Sequence, residues 1–350
     1  MTSKTMTGGQ AVVESLKVNE VDTVVGLIGS STLEILDALY DSKNIRYIGC
    51  HDERSGIIMS DAYARMKNKH GVFLAGQAGP GATNTVTGLA QAKAAFSPVV
   101  SLAGAISSEH EGKDAFQEVD QQSLFSPVTK KSFKISDTKD IHSVMQEAFK
   151  VAITPRMGPV NINLPRDVMG KTSDFQDPMK YQIDKLPEAK VSSLMKAVEL
   201  LTKAKNPVII VGAGIKNNSS HETVLALAEL IKAPCCTSPG HGDALPFEHP
   251  LNAGQMGPRG NVVASRLVKE ADVILVLGSR LGFNSTFYSY DNINKDASII
   301  HCEIDENSIG RYFPVEVGIF ADAKTVAEQL LTMLKSHQAK NEAQKWVDDF

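Results

Sequence analysis

The sequence predicts an α/β protein made of two doubly wound domains, each built on a parallel sheet. Three observations carry this. Short apolar runs alternate with segments of helical periodicity, and the alternation occurs twice along the 350 residues. The runs are continuously apolar, as strands covered on both faces require. A polar, irregular stretch over 171–190, containing Pro178 and Pro187, separates the two halves.

In order, the first half opens with helical spacing over 7–18. An apolar run over 23–28 stops at Gly29-Ser30-Ser31, with a helix over 33–40 behind it. Residues 46–50 read as a strand and 55–67 as a helix. A strand over 72–75, a helix over 82–95 and a strand over 98–103 follow, then a helix over 141–154 and a strand over 159–164. The second half repeats the scheme: helix 192–204, strand 207–211 ending in Gly212-Ala213-Gly214, helix 222–232, strands 234–237, 273–277 and 298–304, and helix 323–335. Its middle, 238–260, is rich in Gly, Pro and His and is expected to be an ordered loop. The expected division is a domain over 1–175, a linker over 176–190, a second domain over 191–340, and the start of a further linker over 341–350.

Composition narrows the function. The net charge of −4 offers no basic field for nucleic acid or an anionic membrane. No run has the length and apolarity of a membrane span, and the first residues lack the apolar segment of a signal peptide. Four cysteines without a Cys-x-x-Cys pair make neither a disulfide framework nor a structural zinc site, so a reduced, cytoplasmic protein is expected.

Candidate chemistry gathers where strands end, because α/β sheets bind ligands beyond the carboxyl ends of their strands. Glu53 follows the strand pattern of Ile48-Gly49-Cys50 and starts a helix pattern. A glutamate in a first helical turn suits the positive end of the helix dipole, and a plain solvated role is the ordinary reading. The functional reading is sharper. Thiamine diphosphate ionises at C2 through its own 4′-amino group, which needs a carboxyl group sharing a proton with the pyrimidine N1′. One glutamate in a dry pocket meets that need. Gly79-Pro80-Gly81, after another strand, allows close backbone approach and opens a helix with free N–H groups. Thr83 and Asn84 add polar side chains there; a well-capped turn is the ordinary alternative. Gly29-Ser30-Ser31 is common turn chemistry. Gln117, preceded by Phe116, lies in the irregular segment 109–126. The amide suits a keto-acid carboxylate and the ring can shield it; otherwise this is a surface loop. Arg166, just past a strand, suits an anion or a pairing with Asp167.

Several long stretches in order carry a resemblance: IGCHDERSGIIMSDAYAR, GQAGPGATNTVTGLAQA, SPVVSLAG, DAFQEVDQQSLFSPVTK and GPVNINLPRDV. Together they resemble the pyrimidine-binding domain of thiamine-diphosphate-dependent decarboxylases and carboligases, with the acetolactate synthase large subunit the nearest branch. The second half, through NPVIIVGAGI, PLNAGQMGPRG, DVILVLGSRLG and IIHCEIDENSIGRYFPVEVGIFADAK, resembles that family's Rossmann-like central domain. The resemblance implies that Glu53 activates the cofactor and that Gln117 orients substrate. It implies that Gly29, Gly79, Pro80, Gly81 and Asn84 help to bind the cofactor, and that Phe116 and Arg166 line the substrate channel. The reaction implied is decarboxylation of pyruvate and transfer of the two-carbon unit to a second 2-keto acid. A homodimer or homotetramer with the site at a subunit interface follows from the same likeness.

Departures bear on the acceptor. Ile28-Gly29-Ser30 stands where the family usually has Pro-Gly, and Arg166 stands where acetolactate synthases usually carry Lys. Arg166 with FQEVDQ is more like the sulfoacetaldehyde acetyltransferase branch; a simple 2-keto acid decarboxylase is a further alternative. Acetolactate synthases bind FAD through stretches matching 254–260 and Gly278-Ser279-Arg280. The acidic-basic run after Arg280 is replaced by Leu281-Gly282-Phe283-Asn284, which leaves FAD open against a nucleotide fold that only packs. A dinucleotide fingerprint would need a third glycine where Asn217 stands. The cofactor's phosphates are held through Mg²⁺ by a Gly-Asp-Gly segment. Gly240-His241-Gly242-Asp243-Ala244 lacks the following asparagine and is rejected. Mg²⁺ ligands are expected outside this chain, on a diphosphate-binding domain further along or on another chain. A non-catalytic partner subunit or truncated module is the alternative of another class.

Overall fold

Thr7 fixes where the first helix begins. Its hydroxyl accepts the Gln10 N–H at 3.2 Å, and the Gln10 side chain accepts the Thr7 N–H at 3.0 Å. This reciprocal pair satisfies two N–H groups that a helix start leaves open. The order around it is β1 (Lys4–Thr7), α1 (Gly8–Val18), β2 (Thr23–Leu27), α2 (Leu33–Tyr40), β3 (Arg46–Gly49), α3 (Glu53–Lys67), β4 (Gly71–Ala75), α4 (Pro80–Asn84), α5 (Val86–Ala94), β5 (Val99–Ala105), α6 (Gln121–Phe125), β6 (Lys131–Lys134), α7 (Ile141–Ile153), β7 (Val160–Pro165), α8 (Arg166–Gly170) and β8 (Thr172–Phe175). These elements make the first of two units, Met1–Asp184, in a computed structural model that describes residues 3–336 and 343–349.

Six strands pair in the order β3-β2-β4-β5-β7-β6, all parallel. Alternate strand residues feed two cores. Val24, Val72, Leu74, Val100, Leu102 and Ile162 join α1, α2 and α7 on one face. Val25, Phe73, Ala75, Val99 and Ala103 join α3, α4 and α5 on the other. The continuous apolar runs are therefore explained by helices on both sides. The chain leaves β2 for β3, then returns to β2's other flank as β4. The connection after β2 runs to one flank of the sheet and that after β4 to the other, which is the switch point where such sheets bind ligands.

The second unit, Lys185–Phe350, contains α9 (Val191–Lys203), β9 (Pro207–Val211), α10 (Ala213–Lys216), α11 (His221–Ile231), β10 (Cys235–Thr237), β11 (Asn252–Gln255), α12 (Val262–Glu270), β12 (Val273–Leu277), α13 (Phe283–Thr286), β13 (Ser298–Glu303), β14 (Val317–Phe320), α14 (Ala323–Ser336) and α15 (Gln344–Asp348). Its strands are parallel in the order β11-β10-β9-β12-β13-β14. Ile209, Val211, Leu275 and Leu277 face α9, α11 and α14, while Val208, Ile210, Ile274 and Val276 face α12.

Some expectations need correcting. The stretch 171–190 is not irregular throughout, because β8 pairs antiparallel with β1. The helix expected over 82–95 is two helices. Thr85 sits between them, buried, and bonds back to the Ala82 carbonyl at 2.7 Å. The loop expected over 238–260 contains β11, an edge strand with no apolar run. Part of the expected linker start over 341–350 lies outside the described residues. Within it α15 is helical, and the Trp346 indole N–H donates to the Pro207 carbonyl at 3.0 Å.

His70 gives the first unit a pH dependence. It is buried against Phe149 and Tyr181, and its Nε2 bonds the Phe149 carbonyl at 2.9 Å. Burial holds its pKa down at about 4, from an ordinary 6.5. Between these values the unfolded chain binds a proton that the folded chain refuses, so stability falls as the pH drops from 6.5 towards 4. The loss approaches about 1.4 kcal/mol per pH unit in that window. Urea midpoints at pH 7 and pH 5 are expected to differ for the natural protein and to differ less for His70→Leu. Equal slopes for the two proteins would remove His70 as the cause.

Candidate functional site

The site is built at the carboxyl edge of the first sheet, by the segments leaving β2, β3, β4 and β5. β3 ends at Gly49, and Asp52 caps α3 by accepting the Arg54 N–H at 2.8 Å and the Ser55 N–H at 3.4 Å. The Arg54 guanidinium also grips Asp52 and, as the largest cause, holds its carboxyl down at about 2. With the cap fixed, Glu53 is the first helical residue, and its side chain turns inward: it is only 7% exposed.

Glu53 meets the turn after β4. Pro80 opens α4 at the position where its missing N–H is harmless. One turn later the Asn84 amide donates to Glu53 Oε2 at 3.0 Å. The other oxygen faces Gly81, where a Cβ would stand 3.3 Å from Glu53 Oε1 and 3.2 Å from the Gln77 side chain. A buried carboxyl group thus has one oxygen held by an amide and the other beside a glycine. A carboxyl group held this way can share a proton with a ring nitrogen, so the residues present fit an aminopyrimidine.

Gly79 has φ +60, and a Cβ there would lie 2.3 Å from the Gln117 carbonyl oxygen. Only glycine combines that backbone with that approach. Gln117 is itself left-handed, at φ +61. Its segment is pinned by the Glu118 carboxylate, which accepts the N–H groups of Gly112 at 2.6 Å and Ala115 at 3.0 Å and is held below the ordinary carboxylate range by them. Gly29 backs onto Gly76: a Cβ on it would lie 2.3 Å from the Gly76 carbonyl carbon. The loops leaving β2 and β4 are therefore in direct contact at the point where the strand order reverses.

Gln77 was not singled out by the sequence, and Ser30 and Ser31 were read only as turn residues. Gln77 Oε1 accepts the Ser30 N–H at 3.2 Å and the Ser30 hydroxyl at 3.1 Å, while its Nε2 donates to Gln117 Oε1 at 2.6 Å. Ser31 accepts the Ala78 N–H at 3.2 Å. An uncharged polar side chain inside a glycine turn was the available signal.

The structure gathers Glu53, Gly81 and Asn84 in one place, and Gly79 with Gln117 in another, joined through Gln77. Phe116 is 83% exposed. Arg166 is exposed at the start of α8, and the expected partner Asp167 is engaged elsewhere: it accepts the Ser108 N–H at 2.9 Å and the Ser108 hydroxyl. Ile28 and Leu33 are exposed apolar residues on the loop and helix after β2; with Glu34, Leu36 and Asp37 they line an open depression of about 520 Å³.

In the second unit the Gly212-Ala213-Gly214 turn has a packing role. A Cβ on Gly212 would lie 2.2 Å from the Gly278 carbonyl oxygen, and one on Gly214 would lie 2.9 Å from Gly278 Cα. These glycines let two strand-end turns touch. Asp243 of the rejected Gly-Asp string pairs with Lys216 at 2.8 Å. Among the described residues no group of three or more His, Cys, Asp or Glu is placed to hold a metal ion. No described helix is long and apolar enough to cross a membrane.

Comparison with known proteins identifies the family of the two units. Residues 6–124 match the N-terminal TPP-binding domain of the thiamine pyrophosphate enzymes, and residues 194–330 match their central domain. A probable acetolactate synthase large subunit of Methanocaldococcus jannaschii is 35% identical over 350 residues, covering 98% of this chain and 58% of the relative. The acetolactate synthase large subunit of Corynebacterium glutamicum is 36% identical, covering 98% of this chain and 55% of its own. A sulfoacetaldehyde acetyltransferase of Alcaligenes xylosoxydans is also 36% identical, covering 93% and 54%. The chain spans little more than half the length of these curated relatives. With two domain matches in order, the chain belongs to the thiamine pyrophosphate enzymes, of which it carries the N-terminal and central domains.

Proposed function

We propose that the intact protein is a thiamine-diphosphate-dependent carboligase that decarboxylates pyruvate and transfers the two-carbon unit to a second 2-keto acid, as acetolactate synthases do. The observation that carries this reading is Glu53, buried at the start of α3 with one carboxyl oxygen on Asn84 and the other beside Gly81. Bound thiamine diphosphate would supply a carbon nucleophile and a sink for the electron pair released as carbon dioxide leaves. Glu53 holds a proton toward the pyrimidine N1′, and Asn84 keeps the carboxyl group turned to it. Gly79, Pro80 and Gly81 leave room for the ring, and Gly29 keeps the neighbouring loop tight against Gly76. Gln117 binds the substrate's anionic group, with Phe116 and Arg166 on the channel's rim.

The phosphates need a cation, and we assign the Mg²⁺ ligands to a diphosphate-binding domain, either further along the protein or on a second chain. A homodimer or homotetramer with the site at the subunit interface fits the exposed apolar residues Ile28, Leu33, Phe116 and Val119. Four buried, unpaired cysteines fit a reducing, cytoplasmic setting. For FAD the Gly212–Gly214 turn gives no support, and the case rests on 254–260 and Gly278-Ser279-Arg280; visible absorbance of the purified protein decides it.

A second reading, sulfoacetaldehyde acetyltransferase, is favoured by Arg166 and by the relative of that name. One assay separates the two. With pyruvate alone the first reading gives acetolactate. Without acetolactate, and with acetyl phosphate formed from sulfoacetaldehyde plus phosphate, the second stands and the first falls.

A further inference from the structure

We infer that Gln77 is a positioning residue that fixes the Gln117 amide as a hydrogen-bond donor, so that the site selects a substrate carrying an anionic oxygen group.

The inference deepens the proposed function and rests on it. It follows from hydrogen-bond polarity. A backbone N–H can only donate, so the Ser30 N–H at 3.2 Å identifies the Gln77 atom facing it as the carbonyl oxygen. The Ser30 hydroxyl adds a second donor to that oxygen at 3.1 Å. The other end of the Gln77 amide is then Nε2, which has protons and no acceptor lone pair. It stands 2.6 Å from Gln117, so the Gln117 atom it meets is the carbonyl oxygen. What remains of the Gln117 amide is its NH₂ group, which can donate and cannot accept. One fixed backbone proton, through two side-chain amides, sets what the site presents to a ligand.

The backbone under this chain is also fixed. Gly79 admits the Gln117 carbonyl at a distance no Cβ allows, and Ser31 N–H donates to the Gly76 carbonyl at 3.0 Å. Gln77 cannot turn over without breaking its bonds to Ser30, and Gln117 cannot turn over without breaking its bond to Gln77. An NH₂ group held this way binds the carboxylate of a 2-keto acid or the sulfonate of sulfoacetaldehyde. It gives a neutral aldehyde no comparable bond.

Gln77→Glu tests this. The carboxylate still accepts from Ser30 but cannot donate to Gln117 Oε1, so the Gln117 amide loses its enforced orientation. In the intact protein with thiamine diphosphate and Mg²⁺, the KM for pyruvate is expected to rise roughly tenfold to a hundredfold, the range of a hydrogen bond to a charged group. The kcat stays within about threefold, as loss of uniform binding requires. The KM for acetaldehyde as acceptor, at saturating pyruvate, does not move. Separate KM values for a 2-keto acid and for sulfoacetaldehyde tell which anion the amide reads. Gln77→Glu added to Gln117→Ala costs nothing more, because the two act in one chain. Should Gln77→Glu fail to fold, Gln77→Met reads the same KM values. An unchanged pyruvate KM, equal rises for pyruvate and acetaldehyde, or additive losses in the double variant would overturn the relay and leave the proposed function standing. A natural protein that turns over no 2-keto acid would overturn both.

Discussion

Glu53→Gln is expected to cut turnover of 2-keto acid by roughly 10²- to 10⁴-fold in the intact protein, the usual weight of a lost general acid–base group. The variant keeps the size and polarity of the side chain. Its carbonyl oxygen can still accept from Asn84, which now lies 3.0 Å from Glu53 Oε2. The fold is therefore undisturbed: the side chain sits in the first turn of a 15-residue helix whose cap, Asp52, is untouched. What the amide cannot do is share an ionisable proton with a ring nitrogen. Steady-state rates with cofactor in excess, beside thermal melts of both proteins, separate the two effects. A variant that melts like the natural protein and turns over at a similar rate would remove Glu53 from the chemistry.

Gly79→Ala is expected to damage structure and activity together, for a reason of space. The new Cβ would sit 2.3 Å from the Gln117 carbonyl oxygen, at a φ of +60 that side chains rarely adopt. Backbone atoms are in conflict, so no rotamer relieves it. Either the turn after β4 or the segment holding Gln117 moves, and with the first goes α4, which carries Asn84. The cost is about 2 to 4 kcal/mol, combining backbone strain with overpacking. A lowered urea midpoint with turnover below a tenth of the natural rate is the expected outcome. A stable, fully active Gly79→Ala would mean that the close approach to Gln117 has no part in the site.

Much of this was legible in the sequence, for identifiable reasons. Glu53 was visible because its signal is local: an apolar strand pattern ends and a helix pattern begins. Gly79 was visible because a Gly-Pro-Gly turn is a property of adjacent residues. Gln77 was not visible, because its role depends on Ser30 and Gln117, which lie 47 and 40 residues away in the chain. No local pattern encodes a contact between three loops.

The same distinction runs through the fold. The central strands declared themselves as unbroken apolar runs. The edge strands β6 and β14 did not, since Lys131–Lys134 buries one side chain and Val317–Phe320 alternates buried with exposed. The ladder between β1 and β8 joins the two ends of the first unit, with Lys4 opposite Phe175, and no neighbouring residue announces it. Gly212-Ala213-Gly214 shows the opposite limit, a motif set aside in the sequence because Asn217 stands where a third glycine is needed. The motif is local and familiar, yet its glycines serve contact with Gly278. A glycine records that something comes close without saying what.

The central claim is that the Glu53 carboxyl group shares its proton with the bound pyrimidine and thereby lets the cofactor ionise. Hydrogen–deuterium exchange at thiazolium C2, followed by rapid quench and proton NMR in the holoprotein, reads that event before any substrate is present. Fast exchange in the natural protein, falling to near the rate of free thiamine diphosphate in Glu53→Gln, is the predicted result; equal exchange rates in the two proteins, with the cofactor bound in both, would contradict it.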